Sequence, residues 1–320
     1  MERKTLTGLR PQYYEHPFDK RALDSLEGAP GLETLVRKCN EYGIERLLRI
    51  RYTGSNLRVN ADNFPEIHEK VRVACEILDL PKLPDIYIQA DGSLNAFTAG
   101  TEQPILVLNS GCIDLLSDDE LFFVIAHEIG HMKSGHVLYY QIAEFLPVIG
   151  EMIGAATLGV GGLFSMGLEV ALLNWQRMSE FTADRAGLLA CQDADTAIRA
   201  MMKIAGLPQK FYGSINTEDF IAQAREFTGF DVSKLDRIAK AVSIMGESHP
   251  WTVMRAHEFL KWIESGDYDR MLAAPATPPL PAASATRAFC SSCGHALSAT
   301  GLFCPSCGAK VPLALAAASN

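Results

Sequence analysis

His127-Glu-Ile-Gly-His131 constrains this 320-residue chain more than any other stretch of comparable length. On an α-helix, positions i and i+4 stand one above the other, so His127 and His131 offer two imidazoles to one metal ion from consecutive turns. Glu128 flanks that face, within reach of a water on the metal. Neutral imidazoles suit Zn2+ and leave a coordination position open, and the metal lowers the pKa of its water towards about 7. A carboxylate beside it can take the proton as the water attacks a carbonyl, then return it to the leaving amine. The flanking residues favour the helix that this geometry needs. Ser117-Asp-Asp-Glu120 is a capping box with extra acid at the positive end of the helix dipole, and Leu121, Val124 and Ile125 carry an apolar period on towards Tyr140.

A third ligand must come from elsewhere. Some zinc helices carry Gly three and His six residues beyond the second histidine, but Ser134 and Val137 occupy those positions here. His136 is nine residues after His127, about 180° round a continuous helix, which makes it a surface or packing histidine pointing away. The segment SEFTADRAG (179–187) instead puts Glu180 and Asp184 one turn apart on a later helix. Glu180 is the expected third zinc ligand. Asp184 is expected to accept a hydrogen bond from the outer nitrogen of a ligand histidine and so fix its tautomer. The same spacing, taken alone, also describes a solvated helix face.

His127-Glu-Ile-Gly-His131 followed by Glu180-Phe-Thr-Ala-Asp184 resembles the HtpX-like and CaaX-prenyl-protease-like family of gluzincin metallopeptidases. Asn95-Ala-Phe-Thr-Ala-Gly100 resembles the strand ahead of that family's catalytic helix, and His249-Pro250 with Arg255 resembles its late His-Pro…Arg element. The resemblance covers about 52–262 and implies a zinc metalloendopeptidase, a hydrolase acting on protein or unfolded-polypeptide substrates. It implies that Glu128 is the base and that His249 donates to the developing oxyanion. It further implies that Arg255 supports the site from behind, and that Asn95, Ala96 and Phe97 pair with substrate backbone in the manner of β-augmentation. From the residues alone, a lone His before Pro such as His249 is usually a helix-entry residue, Arg255 can instead hold a structural acid, and 95–100 is equally an ordinary hairpin strand. The competing functional readings are an aminopeptidase and a silent zinc fold that binds partners through its carboxy-terminal module.

That module is CSSCG…CPSCG, two knuckles that place Cys290, Cys293, Cys304 and Cys307 at the spacing of a tetrahedral Zn2+ site. So short a piece lacks an adequate apolar core, and metal binding supplies most of its folding energy. Two zinc ions are therefore expected, one catalytic and one structural in this ribbon. A protein partner is one use for the ribbon. Nucleic acid is not expected, because the chain carries a net charge of −9 and the tail offers only Arg287 and Lys310.

The fold class expected is α+β and mainly helical, a zincin-like catalytic domain with a small antiparallel or mixed sheet plus the ribbon. Helices are read over 17–80, then strands at 85–89, 94–99 and 105–109, with Asp91-Gly92 as a tight turn between the first two. The domains expected are a peptidase domain over 1–271, comprising a helical part at 1–82 and a core at about 83–262. A Pro/Ala-rich linker (272–288), the ribbon (289–311) and a tail (312–320) follow. The amino terminus lacks the apolar core of a secretory signal, which suggests a cytoplasmic or organelle-interior protein. Residues 152–168 are uncharged but rich in glycine and bracketed by Glu151 and Glu169. They fit a packed helical hairpin better than a transmembrane pair, with peripheral membrane contact through 145–174 left open.

Overall fold

Ile105-Leu-Val-Leu-Asn109 is apolar up to its last residue, the pattern of a strand covered on both faces. A computed structural model places it inside a four-stranded sheet; it describes residues 3–28, 43–156, 161–214, 216–229 and 251–273, with Leu32, Leu35, Val36 and Cys39. The strands are β1 (Leu57–Val59), β2 (Asp85–Gln89), β3 (Ala96–Ala99) and β4 (Ile105–Asn109), in the order β1-β2-β4-β3. β2 and β4 run parallel with Tyr87 opposite Val107, while β1 and β3 are antiparallel to their neighbours. The sheet is thus small and mixed, as expected.

Two details differ from the sequence reading. β2 and β3 do not pair, because β4 lies between them. All five residues of β4 are buried, whereas Phe97 and Thr98 of β3 stay partly exposed. The more apolar strand takes the inner position and the more polar one the edge. β1 interrupts the region read as wholly helical; three residues are too few to register a period, and pairing with β2 holds them extended.

The described helices are α1 (Pro11–Tyr14), α2 (Pro17–Glu27), α3 (Ile44–Ser55), α4 (Pro65–Ile77), α5 (Ser110–Leu115) and α6 (Asp118–Lys133). After them come α7 (Val137–Ala156), α8 (Gly161–Cys191), α9 (Ala194–Ile204), α10 (Thr217–Gly229), α11 (Thr252–Glu264) and α12 (Asp267–Ala273). Alternate side chains of β2 and β4 feed two cores. Ile86, Ile88, Leu106 and Leu108 join apolar residues of α4, α6 and α9. Tyr87, Ile105 and Val107 face the other way, onto Leu48 and Tyr52 of α3 and Tyr139, Ile142 and Trp175 of α7 and α8. Each fully buried side chain of this size contributes about 1.5–3 kcal/mol, so the sheet is anchored from both faces.

The capping box forms as expected. Ser117 N donates to Glu120 Oε2 (2.7 Å) and Glu120 N to Ser117 Oγ (3.4 Å), and Lys203 of α9 donates to the same carboxylate (2.7 Å). Residues 120–131 are all buried, so α6 is a central helix rather than an amphipathic surface one. It packs closely along α8. A Cβ on Gly130 would stand 2.5 Å from Ala186 Cβ, and one on Gly187 would stand 2.8 Å from Phe123 Cε2. Both positions lack a side chain, and the resulting close approach brings the histidines of α6 against the carboxylates of α8.

Within 145–174, Leu146, Leu168 and Leu172 are buried in the second core beside Tyr139 and Trp175; residues 157–160, where the expected hairpin would turn, lie outside the described residues. No helix among the described residues is long and apolar enough to cross a membrane. α12 runs two residues into the segment read as a linker. The rest of that linker, the ribbon cysteines Cys290, Cys293, Cys304 and Cys307, the tail and His249 lie outside the described residues.

Candidate metal centre

Because His127 and His131 are one turn apart on α6, their rings meet on one face, with Nε2 atoms 3.1 Å apart. α8 brings Glu180 against both: its Oε2 is 3.4 Å from His127 Nε2 and its Oε1 3.4 Å from His131 Nε2. Ligands at about 2.0–2.2 Å from a tetrahedral zinc stand about 3.3–3.6 Å from one another. The N–N separation and the two N–O separations, each to a different oxygen of Glu180, lie within a few tenths of an ångström of that edge length, and two imidazoles with one carboxylate form a catalytic-zinc donor set. The residues therefore fit the ion. Glu128 belongs to the same buried group, its ligand atom lying within 4.8 Å of those of His127 and His131.

Asp184, one turn after Glu180, has Oδ1 3.1 Å from His127 Nδ1, the hydrogen bond expected of it. Arg255 of α11 grips the same carboxylate as a fork, Nε to Oδ2 at 2.8 Å and Nη2 to Oδ1 at 2.6 Å, and its Nη1 is 3.2 Å from Glu180 Oε2. Burial favours neutral Asp184, but the Arg255 guanidinium outweighs it and holds the carboxyl below the usual range. Burial likewise opposes charge on His127, yet Asp184 and Glu180 push its pKa up to about 9. His131 goes the other way, down to about 4, chiefly through burial. Burial also pushes the Glu128 carboxyl up to about 7.

The centre opens into a cleft of about 860 Å³. Asn95, Ala96, Phe97 and Thr98 line one side, while Glu128, His131 and Glu180 also contribute to its lining. Among the described residues, β3 is an edge strand, paired with β4 alone.

Two nearby groups were not singled out from the sequence, and a third was misplaced by it. Tyr140 of α7 donates to Glu180 Oε1 (2.7 Å), and burial keeps its phenol well above the usual pKa; a Tyr-Tyr pair on an apolar helix gave no signal. Asp19 of α2 is fully buried near the centre. His136, expected to point away, is 2% exposed with Nδ1 2.9 Å from His131 Nδ1. A half-turn offset holds only for a helix that continues through 136, and α6 ends at Lys133. Ser134 is its C-cap and Gly135 adopts φ 74°, so the chain reverses and brings His136 back under His131. The Gly before His136 was the available signal.

The sequence profile of Peptidase family M48 matches residues 61–263, a stretch that contains both the α6 histidines and the α8 carboxylates. The chain belongs to peptidase family M48. A plastoglobule-localized metallopeptidase 48 of Arabidopsis thaliana chloroplasts is 31% identical over 262 residues, covering 81% of this chain and 74% of the relative. A protein named Protease HtpX homolog 2 from Methanosarcina mazei is 31% identical over 185 residues, 50% of this chain and 62% of its own length. Its namesake in Methanosarcina acetivorans is 30% identical over 178 residues, 48% of this chain and 60% of its own. The match thus spans roughly three fifths of those two M48 relatives' length. No solved structure matches the chain. Family membership makes this a metallopeptidase, a hydrolase of proteins, and M48 peptidases use zinc.

Proposed function

We propose that this M48 chain is a zinc-dependent endopeptidase that cleaves extended segments of protein substrates. The observation that carries the reading is the triangle of His127 Nε2, His131 Nε2 and the Glu180 carboxylate, 3.1–3.4 Å on a side, opening onto a cleft bordered by an edge strand. Those three residues would hold the ion. When bound, zinc supplies a Lewis acid that polarises the scissile carbonyl and acidifies water. Glu128 accepts the proton of the attacking water and passes it to the leaving amine; burial raises its pKa and so strengthens it as a base. Asp184 and Arg255 keep His127 and Glu180 in orientation. Tyr140, donating to Glu180 Oε1, fixes the carboxylate from the cleft side.

Substrate enters as an added strand along β3, whose main-chain groups at Asn95, Ala96 and Phe97 bind backbone with little regard for side chains. That mode suits unfolded segments. The role proposed for His249, an oxyanion donor, rests on the resemblance of His249-Pro250 to the family's late His-Pro element. Residues 1–271 form the peptidase domain, and the ribbon beyond the linker holds a second, structural zinc on its four cysteines as a place for a protein partner. A peptide acetylated at its amino end and amidated at its carboxy end tests the reading. The expected result is internal cleavage, seen as two product masses, abolished by a chelator and restored by zinc. Removal of single residues from a free amino terminus, with the blocked peptide left whole, contradicts it.

A further inference from the structure

The motif residue His131 has two ring nitrogens, and only one can face an ion. Its outer nitrogen, Nδ1, is 2.9 Å from His136 Nδ1, and His136 Nε2 is in turn 3.2 Å from Asp19 Oδ2. The chain of contacts continues. Thr182 Oγ1 donates to the same Asp19 oxygen (2.5 Å), and the backbone N–H of His16 donates to Thr182 Oγ1 (3.0 Å). Asp19, His136 and Thr182 are exposed by 0%, 2% and 0%, so water does not compete for these bonds. Thr182 sits on α8 between Glu180 and Asp184, and Asp19 sits on α2, ahead of the 61–263 stretch that matches the family profile.

We infer that Asp19 and His136 are positioning residues of the metal centre, a carboxylate–histidine pair that holds the outer nitrogen of His131. The inference rests on His131 being a zinc ligand. With His131 Nε2 turned to the ion, its Nδ1–H donates to His136 Nδ1, and the Nε2–H of His136 donates to Asp19. Each proton has one place to go, so the ring of His131 cannot flip or change tautomer without breaking two buried hydrogen bonds. His127 is served by one carboxylate directly, Asp184 at 3.1 Å. His131 reaches its own through a second imidazole because α6 has ended and the returning chain inserts His136 between them. The amino-terminal α2 thereby forms part of the zinc site without touching the ion.

Zinc affinity of the full chain, measured by competition with a chromophoric chelator, tests this. The zinc lost in His131→Ala defines the site and separates it from zinc bound at the ribbon. His136→Leu removes the acceptor and is expected to weaken zinc at this site by about 10–100-fold. His136→Asn puts a carbonyl oxygen near the position of Nδ1 and is expected to recover most of that loss. Asp19→Asn replaces a charged acceptor by a neutral one and is expected to weaken zinc by about threefold or more. With Co2+ in place of zinc, the visible bands of His136→Leu should shift, a signature that general loss of packing does not give. His136→Leu that folds and holds zinc as tightly as wild type overturns the inference. Should that variant not fold, Asp19→Asn with wild-type zinc affinity overturns it equally. If His131→Ala loses no zinc, the ligand assignment itself falls, a result distinct from either.

Discussion

Glu128→Gln is expected to keep its zinc and to lose about 10²–10⁴-fold in kcat/KM on an unfolded protein substrate, the usual share of a general base. The two side chains have nearly the same shape, and none of the three proposed ligands is altered, so metal content measured after dialysis should equal that of wild type. What disappears is the proton acceptor. Burial pushes the Glu128 carboxyl up in the metal-free protein, which makes it a stronger base than an exposed carboxylate. An amide has no such capacity. A variant with full zinc and full activity would remove Glu128 from the reaction. A variant that loses its zinc would instead make Glu128 a ligand, an alternative with some geometric basis because its carboxylate lies in the same buried group.

Arg255→Leu is expected to destabilise the zinc-free protein by about 3–5 kcal/mol, the cost of leaving buried carboxylates without their cation. Arg255 is 6% exposed and satisfies Asp184 at 2.6 and 2.8 Å while lying 3.2 Å from Glu180. Its removal leaves two carboxylates facing each other across one site with His127 as their remaining counter-charge. Arg255→Lys should recover only part of the loss, because a point charge cannot reproduce the two-pronged grip on Asp184. Urea midpoints of the chelated proteins give the comparison. A loss below about 1 kcal/mol for the leucine variant would mean that Arg255 does not counterbalance these acids.

Much of this architecture was legible locally. Ser117 and Glu120 announce the start of α6, and the apolar strands at 85–89 and 105–109 lie where their composition put them. The spacing of His127 and His131 is a property of one helix, as is that of Glu180 and Asp184. What could not be read is what depends on competition or on distance along the chain. β4 displaces β3 from the middle of the sheet because it is the more apolar of the two, and the Asp91-Gly92 turn says nothing of that comparison. Gly130 and Gly187 fit the sequence equally as helix weak points; only the packing of α6 on α8 makes their missing side chains a requirement. His136 was misplaced by extending a helix past the glycine that ends it. Asp19 is more than a hundred residues from both His136 and Thr182, so no local pattern could have joined them.

The central claim is that His127, His131 and Glu180 hold zinc while Glu128 stands beside it. Anomalous diffraction at the zinc edge from crystals of the full chain locates the ion directly. The account predicts a peak at the α6–α8 contact about 2.0–2.2 Å from His127 Nε2, His131 Nε2 and a Glu180 oxygen, with Glu128 beyond bonding distance. A peak bound by Glu128 in place of Glu180, or no peak between these helices, contradicts it.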